Sequence, residues 1–231
     1  MPTRTKATTH PRARLNRDRV LRAALVLADQ GGLEALTMRR LGETLGVEAM
    51  SLYNHVSGKE DLLDGLVDIV FSEIDLNCGG RDWKKAMRRR AISAREVLAR
   101  HRWANGLMES RLHPGPETLR HHDAVLRCLR EAGFSIAMSA HAYSALDSYI
   151  YGFALQQRSL PFDSGEEATA MVEVFLRQFP AAQFPHLAEL ATEHVMKPGY
   201  DYAKEFEFGL DLILDGLDRK RARPHTFRAR G

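Results

Sequence analysis

The sequence predicts an all-α protein with a small N-terminal head of three helices and a larger helical body. Three observations lead there. Apolar residues recur three and four positions apart along most of the chain, which is the spacing of one helix face. Segment after segment is bracketed by helix punctuation, with Asn, Thr, Ser or Asp before it and Gly or Pro after it. No stretch of convincing alternating period reads as a strand. The 231 residues are 44% hydrophobic and 27% charged, the balance of a soluble globular chain long enough to bury a sizeable core.

Residues 1–15 are polar and basic. They read either as a flexible arm whose Arg4, Lys6, Arg12 and Arg14 track phosphates or as a plain solvated terminus. The first helix starts at Asn16, an N-cap, and runs to about Asp29, with Val20, Ala24, Leu27 and Ala28 on one face. Gln30-Gly31-Gly32 ends it. Thr37 caps the second helix, Leu41 and Leu45 pack inward, and Gly42 leaves room for a neighbour. Gly46 supplies the positive φ of a tight turn, and Val47 follows as a buried plug. Glu48 to Asn54 form a short third helix with Leu52 inward. Ser57 caps the fourth helix with Glu60 as its capping-box partner, ahead of the stripe Leu62, Leu63, Leu66, Val70 and Ile74. The head is assigned to 16–61 and the body to 62–220, with a basic flexible tail at 221–231.

In the body, Arg81-Asp82-Trp83 opens a fifth helix with Trp83, Met87, Arg90, Ala91, Ala94 and Leu98 at helical spacing. A short helix is expected at Ala104–Ser110, broken by His113-Pro-Gly-Pro, and another at Glu117–Ala132, ended by Gly133. Ile136–Gln157 is apolar on several faces and Tyr202–Leu217 on two, so both are expected to be covered from more than one side. Between them lie a loop at 160–164 and helices at Glu166–Gln178 and about Leu187–Met196.

Charge and composition exclude several classes. No run approaches the roughly 18 apolar residues of a membrane span, and the basic N-terminus lacks the apolar core of a secretory signal. Cys78 and Cys128 lie far apart and read as free thiols of a cytoplasmic chain. Residues 1–60 carry ten Lys/Arg against six Asp/Glu, whereas residues 61–217 carry seventeen against twenty-three. A basic head on an acidic body suits a polyanion partner for the head, although any single charge run also reads as a solvated face. Nucleophile elbow, P-loop, HExxH and dinucleotide fingerprint are all missing, so no catalytic residues are assigned and the chain is read as no enzyme. His121-His122-Asp123 does not make a metal site, because adjacent helical residues point about 100° apart and a two-His site wants i, i+3 or i+4. No cofactor is expected.

The stretch LTMRRLGETLGVEAMSLYNHVSGKEDLL, residues 36–63, carries the function. Two short helices joined at Gly46 form a helix-turn-helix, and a major groove about 12 Å wide admits the second of them. Ala49 and Met50 offer apolar contact to a base, Ser51 donates or accepts, and Asn54 reaches a base edge or a phosphate. Tyr53, His55 and Lys59 donate to phosphates. Thr37, Met38 and Arg39 sit where a helix N-terminus favours phosphate. Met50 as core and Tyr53 as packing remain the bland alternatives.

The ordered pattern Leu-Thr, Arg-x-Leu, Leu-Gly-Val, Leu-Tyr-x-His-Val, Lys and Leu-Leu resembles the DNA-binding head of the TetR family of bacterial regulators. Trp83, the Glu-Ala-Gly-Phe turn at 131–134 and the two greasy helices resemble its tetracycline-repressor branch. The resemblance implies a homodimer, joined through helices near 136–157 and 202–217, that binds a palindromic double-stranded operator and is released by a small molecule. It also implies that Arg39 reaches a guanine. The match departs from the branch in two places. Ala49-Met50 and Asn54 replace its Gln-Pro and Trp, so the operator does not carry over. Asp75, Met108, Arg90, Ala94 and Val125 replace its ligand-binding His, Asn, Phe and Gln, which argues against tetracycline and its metal. The pocket expected between the body helices draws on Arg90, Ala94, Met108, His122, Val125, Leu129 and Tyr149. Arg90 and His122 there suit an anionic or polar ligand, or are satisfied core residues. The reading is a ligand-responsive transcriptional repressor. A family member that activates or needs no ligand, a helical enzyme using the His cluster and Glu109, and a plain interaction protein stand as alternatives.

Overall fold

A computed structural model describes residues 14–77, 82–162 and 164–221. The arm residues Arg4, Lys6 and Arg12, most of the basic tail, Cys78 and Arg81 lie outside the described residues. The described residues are helical throughout apart from turns and loops, and they divide into two compact units between Leu66 and Val67.

The first unit holds α1 (Arg17–Ala35), α2 (Met38–Leu45), α3 (Ala49–Leu52) and the start of α4 (Lys59–Glu73). Asn16 caps α1 by accepting the Arg19 N–H. The helix breaks at Gly32, within the expected Gln30-Gly31-Gly32 stop, with a φ of 69° that only glycine adopts without strain, and a further helical turn runs to Ala35. Thr37 caps α2, and Gly46 (φ 67°) ends it. Val20, Leu36, Leu41, Leu52, Leu62 and Leu66 are buried between the helices. Each such side chain contributes about 1.5–3 kcal/mol relative to exposure. Val47 is half-buried rather than a buried plug. The capping box at α4 uses a different acid: Asp61, not Glu60, accepts the Ser57 N–H at 2.8 Å. Helix α3 is shorter than expected, with Tyr53 to His55 forming a turn.

The second unit holds the rest of α4 with α5 (Trp83–Arg100), α6 (Pro116–Glu131), α7 (Ile136–Ser159), α8 (Gly165–Leu176), α9 (Pro185–Leu190) and α10 (Tyr202–Arg221). The short helix expected at 104–110 is a single tight turn at Ala104–Gly106 followed by further turns. Asp82, Ser135 and Ser164 cap α5, α7 and α8 through side-chain oxygens, and Pro116 opens α6 where its missing N–H costs nothing. Helix α7 is the central element, packing against α5, α6 and α10. Its Leu146, Ile150 and Phe153 are buried. Trp83 meets Phe134 edge-on at 4.8 Å, just past the Gly133 turn (φ 91°). Among the described residues no helix is long and apolar enough to cross a membrane, and no group of three His, Cys, Asp or Glu is placed to hold a metal.

Candidate nucleic-acid interface and the polar cluster of the body

In the first unit, α2 and α3 approach so closely that a Cβ on Gly42 would lie 2.9 Å from the Val47 carbonyl oxygen and 3.2 Å from the Ala49 nitrogen. That contact fixes the angle at which α3 leaves the turn. Leu52 anchors α3 inward with no exposure, while Met50 on the other side is 75% exposed and Tyr53 47%. Asn54, Thr37, Arg39 and Lys59 are exposed, and Ala49, Ser51, Met38 and His55 are half-buried. A thioether left three-quarters in water is a poor core residue. The structure therefore places Met50 outside the core, against its core alternative, while the half-exposed Tyr53 is compatible with both of its readings.

Three polar groups of this face have a defined tether. The Thr37 hydroxyl accepts the Arg40 N–H at 3.2 Å. Arg39 pairs with Glu43 at 3.2 Å on an open surface, a contact worth little and readily exchanged. Lys59 reaches the Leu33 carbonyl at 3.5 Å, at the limit of a hydrogen bond. Sequence reasoning missed Arg17. Its guanidinium binds Asp61 twice (2.6 and 2.9 Å) and donates to the His55 carbonyl at 3.2 Å, tying α1 to the α3–α4 turn. The Arg17 hydrogen bond holds the Asp61 carboxyl down at about 2, against a smaller upward push from burial. The pair is 44 residues apart, and no local pattern announces it.

In the second unit, Arg90 is buried and points inward, as its place on the α5 stripe suggested. It is not a free cation. Its Nη2 donates to Asp147 Oδ1 at 2.7 Å and its Nε to His121 Nε2 at 3.0 Å, with Arg90 and Asp147 side chains only 2% and 7% exposed. Burial, then the Arg90 and His122 charges, push His121 down to about 3, so it stays neutral as an acceptor. His122 meets the Tyr143 hydroxyl. Tyr151 donates to Glu109 at 3.1 Å, and burial raises both tyrosines above the usual phenol range. Among the described residues Arg90 Nη1, Asp147 Oδ2 and Ser139 Oγ are buried without a hydrogen-bond partner. Met108, Ala94, Val125 and Leu129 are core apolar residues. Tyr149 belongs elsewhere: its hydroxyl donates to the Phe206 carbonyl at 3.0 Å and its ring stacks on Phe206, as part of the α7–α10 packing. Asp147, His121 and Tyr143 were missed as cluster members. The available signal was a lone carboxylate on the otherwise apolar face of Leu146 and Ile150.

An exposed short helix carried on a helix-turn-helix, followed by a separate helical body, is the architecture of a DNA-binding regulator. The family model for bacterial regulatory proteins of the tetR family matches residues 20–66, and the model for the tetracyclin repressor-like C-terminal domain matches residues 78–221. The chain is 33% identical over 217 residues to the HTH-type transcriptional repressor DrrR1 of Streptomyces coeruleorubidus, spanning 90% of this chain and 79% of that protein. It is 32% identical over 211 residues to the Escherichia coli class C tetracycline repressor protein, spanning 90% and 93%. The structure of the Streptomyces coelicolor TetR family protein ActR in complex with actinorhodin superposes with a TM-score of 0.75 at 29% identity, covering 91% of this chain and 99% of that one. The chain belongs to the TetR family of transcriptional regulators, in its tetracycline-repressor-like branch.

Proposed function

We propose that the protein is a ligand-responsive repressor that binds a palindromic operator as a homodimer and leaves it when a small molecule occupies the body. The observation that carries the DNA half is the exposed α3 face. Ala49, Met50 and Ser51 would meet base edges and Asn54 a base edge or a phosphate, while Thr37, Arg39, Tyr53, His55 and Lys59 would hold phosphates, with Met38 beside them at the start of α2. One head buries too little surface for specific affinity, whereas two, a helical turn or a multiple apart, supply it. Supporting the dimer, α7 leaves the small residues Ala137, Ser144, Ala145, Ser148 and Gly152 exposed along one face, and α10 leaves Phe208 and Leu212 exposed.

The effector half is supported by Arg90 and Asp147. A ligand offering an acceptor to Nη1 and a donor to Oδ2 would satisfy two buried atoms at once. Asp147 already neutralises Arg90, so a polar, uncharged effector suits the cluster better than an anion. A ligand that favours the form with poorly spaced heads lowers operator affinity by its differential binding. The test begins with selection of bound duplexes from a random pool, followed by titration of the selected site across a salt series. Lys59→Ala should lower the salt slope by about 1 and Tyr53→Ala should weaken binding. Recovery of no inverted repeat, or unchanged binding by both variants, would sink the operator reading.

A further inference from the structure

The residue that ends the turn before α3 is an acid in an otherwise basic head. Glu48 is exposed, and its side chain makes no capping hydrogen bond to the helix that follows. The nearby carboxylates of Glu43 and Asp61 are engaged. Glu43 pairs with Arg39 at 3.2 Å, and Asp61 is held by Arg17 at 2.6 Å and by the Ser57 N–H at 2.8 Å. The Glu48 carboxylate has no hydrogen bond or ion pair among the described residues.

The backbone beneath it is fixed on both sides. The Val47 N–H donates to the Gly42 carbonyl at 3.0 Å, and the Ser51 N–H donates to the Glu48 carbonyl at 2.9 Å. A Cβ on Gly42 would lie 3.3 Å from the Ala49 Cα, so the chain just past Glu48 is set against α2. An unspent carboxylate therefore stands on a rigid step, directly ahead of Ala49, Met50 and Ser51.

An acid on a face that enters a DNA groove is repelled by phosphates and lowers affinity unless a base offsets it with a donor. An ionised carboxylate only accepts hydrogen bonds. Guanine and thymine present acceptors in the major groove, and adenine sets its N7 acceptor beside its N6 amino group. Cytosine presents the N4 amino donor and no acceptor of its own. We propose that Glu48 is a specificity-determining residue that accepts from the N4 amino group of a cytosine in each operator half-site. The inference rests on the operator reading above and adds one base to it. Helix-turn-helix proteins read base edges from the start of the second helix, which is where Glu48 stands.

The parent chain, Glu48→Ala and Glu48→Gln are each used to select bound duplexes from a random pool. The selected duplexes are then titrated by fluorescence anisotropy at one ionic strength. All three proteins should melt alike, because the side chain has no capping bond to lose. The parent should select cytosine at one position of each half-site and lose about tenfold in affinity when thymine replaces it, since a donor becomes an acceptor. In Glu48→Ala that preference should disappear at this position alone. Glu48→Gln should take adenine there as readily as cytosine, because an amide fits N6 and N7 together. Equal gains by Glu48→Ala on every duplex, with base preferences intact, would mean that the carboxylate only repels phosphate and would overturn the proposal. A Glu48→Gln variant that still rejects adenine overturns it too. A parent that selects no inverted repeat overturns the operator reading and this inference together, whereas a repeat whose base preferences ignore both variants overturns this inference alone.

Discussion

Replacing Asp147 by Leu should destabilise the body more than almost any other single substitution in it. The carboxylate lies 2.7 Å from Arg90, and the two side chains are 7% and 2% exposed. Arginine stays charged, so removing Asp147 strands a guanidinium in a dry interior. Breaking a buried pair in this way costs about 3–5 kcal/mol. Replacing both members, Arg90→Met with Asp147→Leu, removes the charge and also the two orphaned atoms, Arg90 Nη1 and Asp147 Oδ2. Each such orphan costs about 1–3 kcal/mol, so the double variant should be near neutral. At an m-value of about 2 kcal/mol/M the single variant loses roughly 2 M in its urea midpoint, and the double variant recovers most of that. The assay is urea unfolding followed by circular dichroism at one protein concentration, since self-association would shift apparent stability. A single-variant cost under about 1 kcal/mol, or a double-variant cost equal to the sum of the two singles, would refute the claim that the pair holds the cluster together.

Other expectations follow from the head. Gly42→Ala should lower the melting temperature and weaken operator binding together, because its Cβ would meet the Val47 carbonyl oxygen at 2.9 Å and force the backbone of α3 off its angle; unaltered affinity would count against that lever. Gly46→Ala, at φ 67°, should cost about 1 kcal/mol in thermal or chemical unfolding of the head. Asp61 titrates at about 2 in the folded chain against an ordinary 3.8, chiefly through its Arg17 hydrogen bond. A depressed carboxyl contributes stability that is complete above its unfolded value and is lost as pH falls through about 2. Stability measured between about pH 4 and pH 2 should therefore fall less steeply in Asp61→Asn than in the parent, and parallel curves would dismiss the linkage.

The helices of the head were legible because each rule acts locally. Asn16 and Thr37 cap through their own side chains, Gly46 takes the φ that its turn needs, and Leu52 falls on the inward side of a four-residue helix. The failures in the head come where a distant partner decides. Asp61 displaces Glu60 at the start of α4 because Arg17, far away in sequence, draws that carboxylate into a clamp shared with the Ser57 N–H. The body shows the same division. Proline and glycine marked its breaks within a few residues, yet Tyr149 was grouped with the wrong neighbours. Spacing along α7 gives the face of a residue but not which of three packed helices that face meets, and Tyr149 meets α10.

Arginine shows most clearly what sequence pattern leaves undecided. Arg90 lies on an apolar stripe and reads as a lure for an anion, but the fold brings Asp147 to it from 57 residues away and cancels its charge. A buried charge that already has its counterion gains little from a charged ligand. An effector seated at the Arg90 cluster, as proposed above, is therefore selected by hydrogen bonding and not by charge. Effector screens that vary ligand charge and ligand polarity independently should find that binding at the proposed site follows polarity, and hits that follow negative charge alone would count against it.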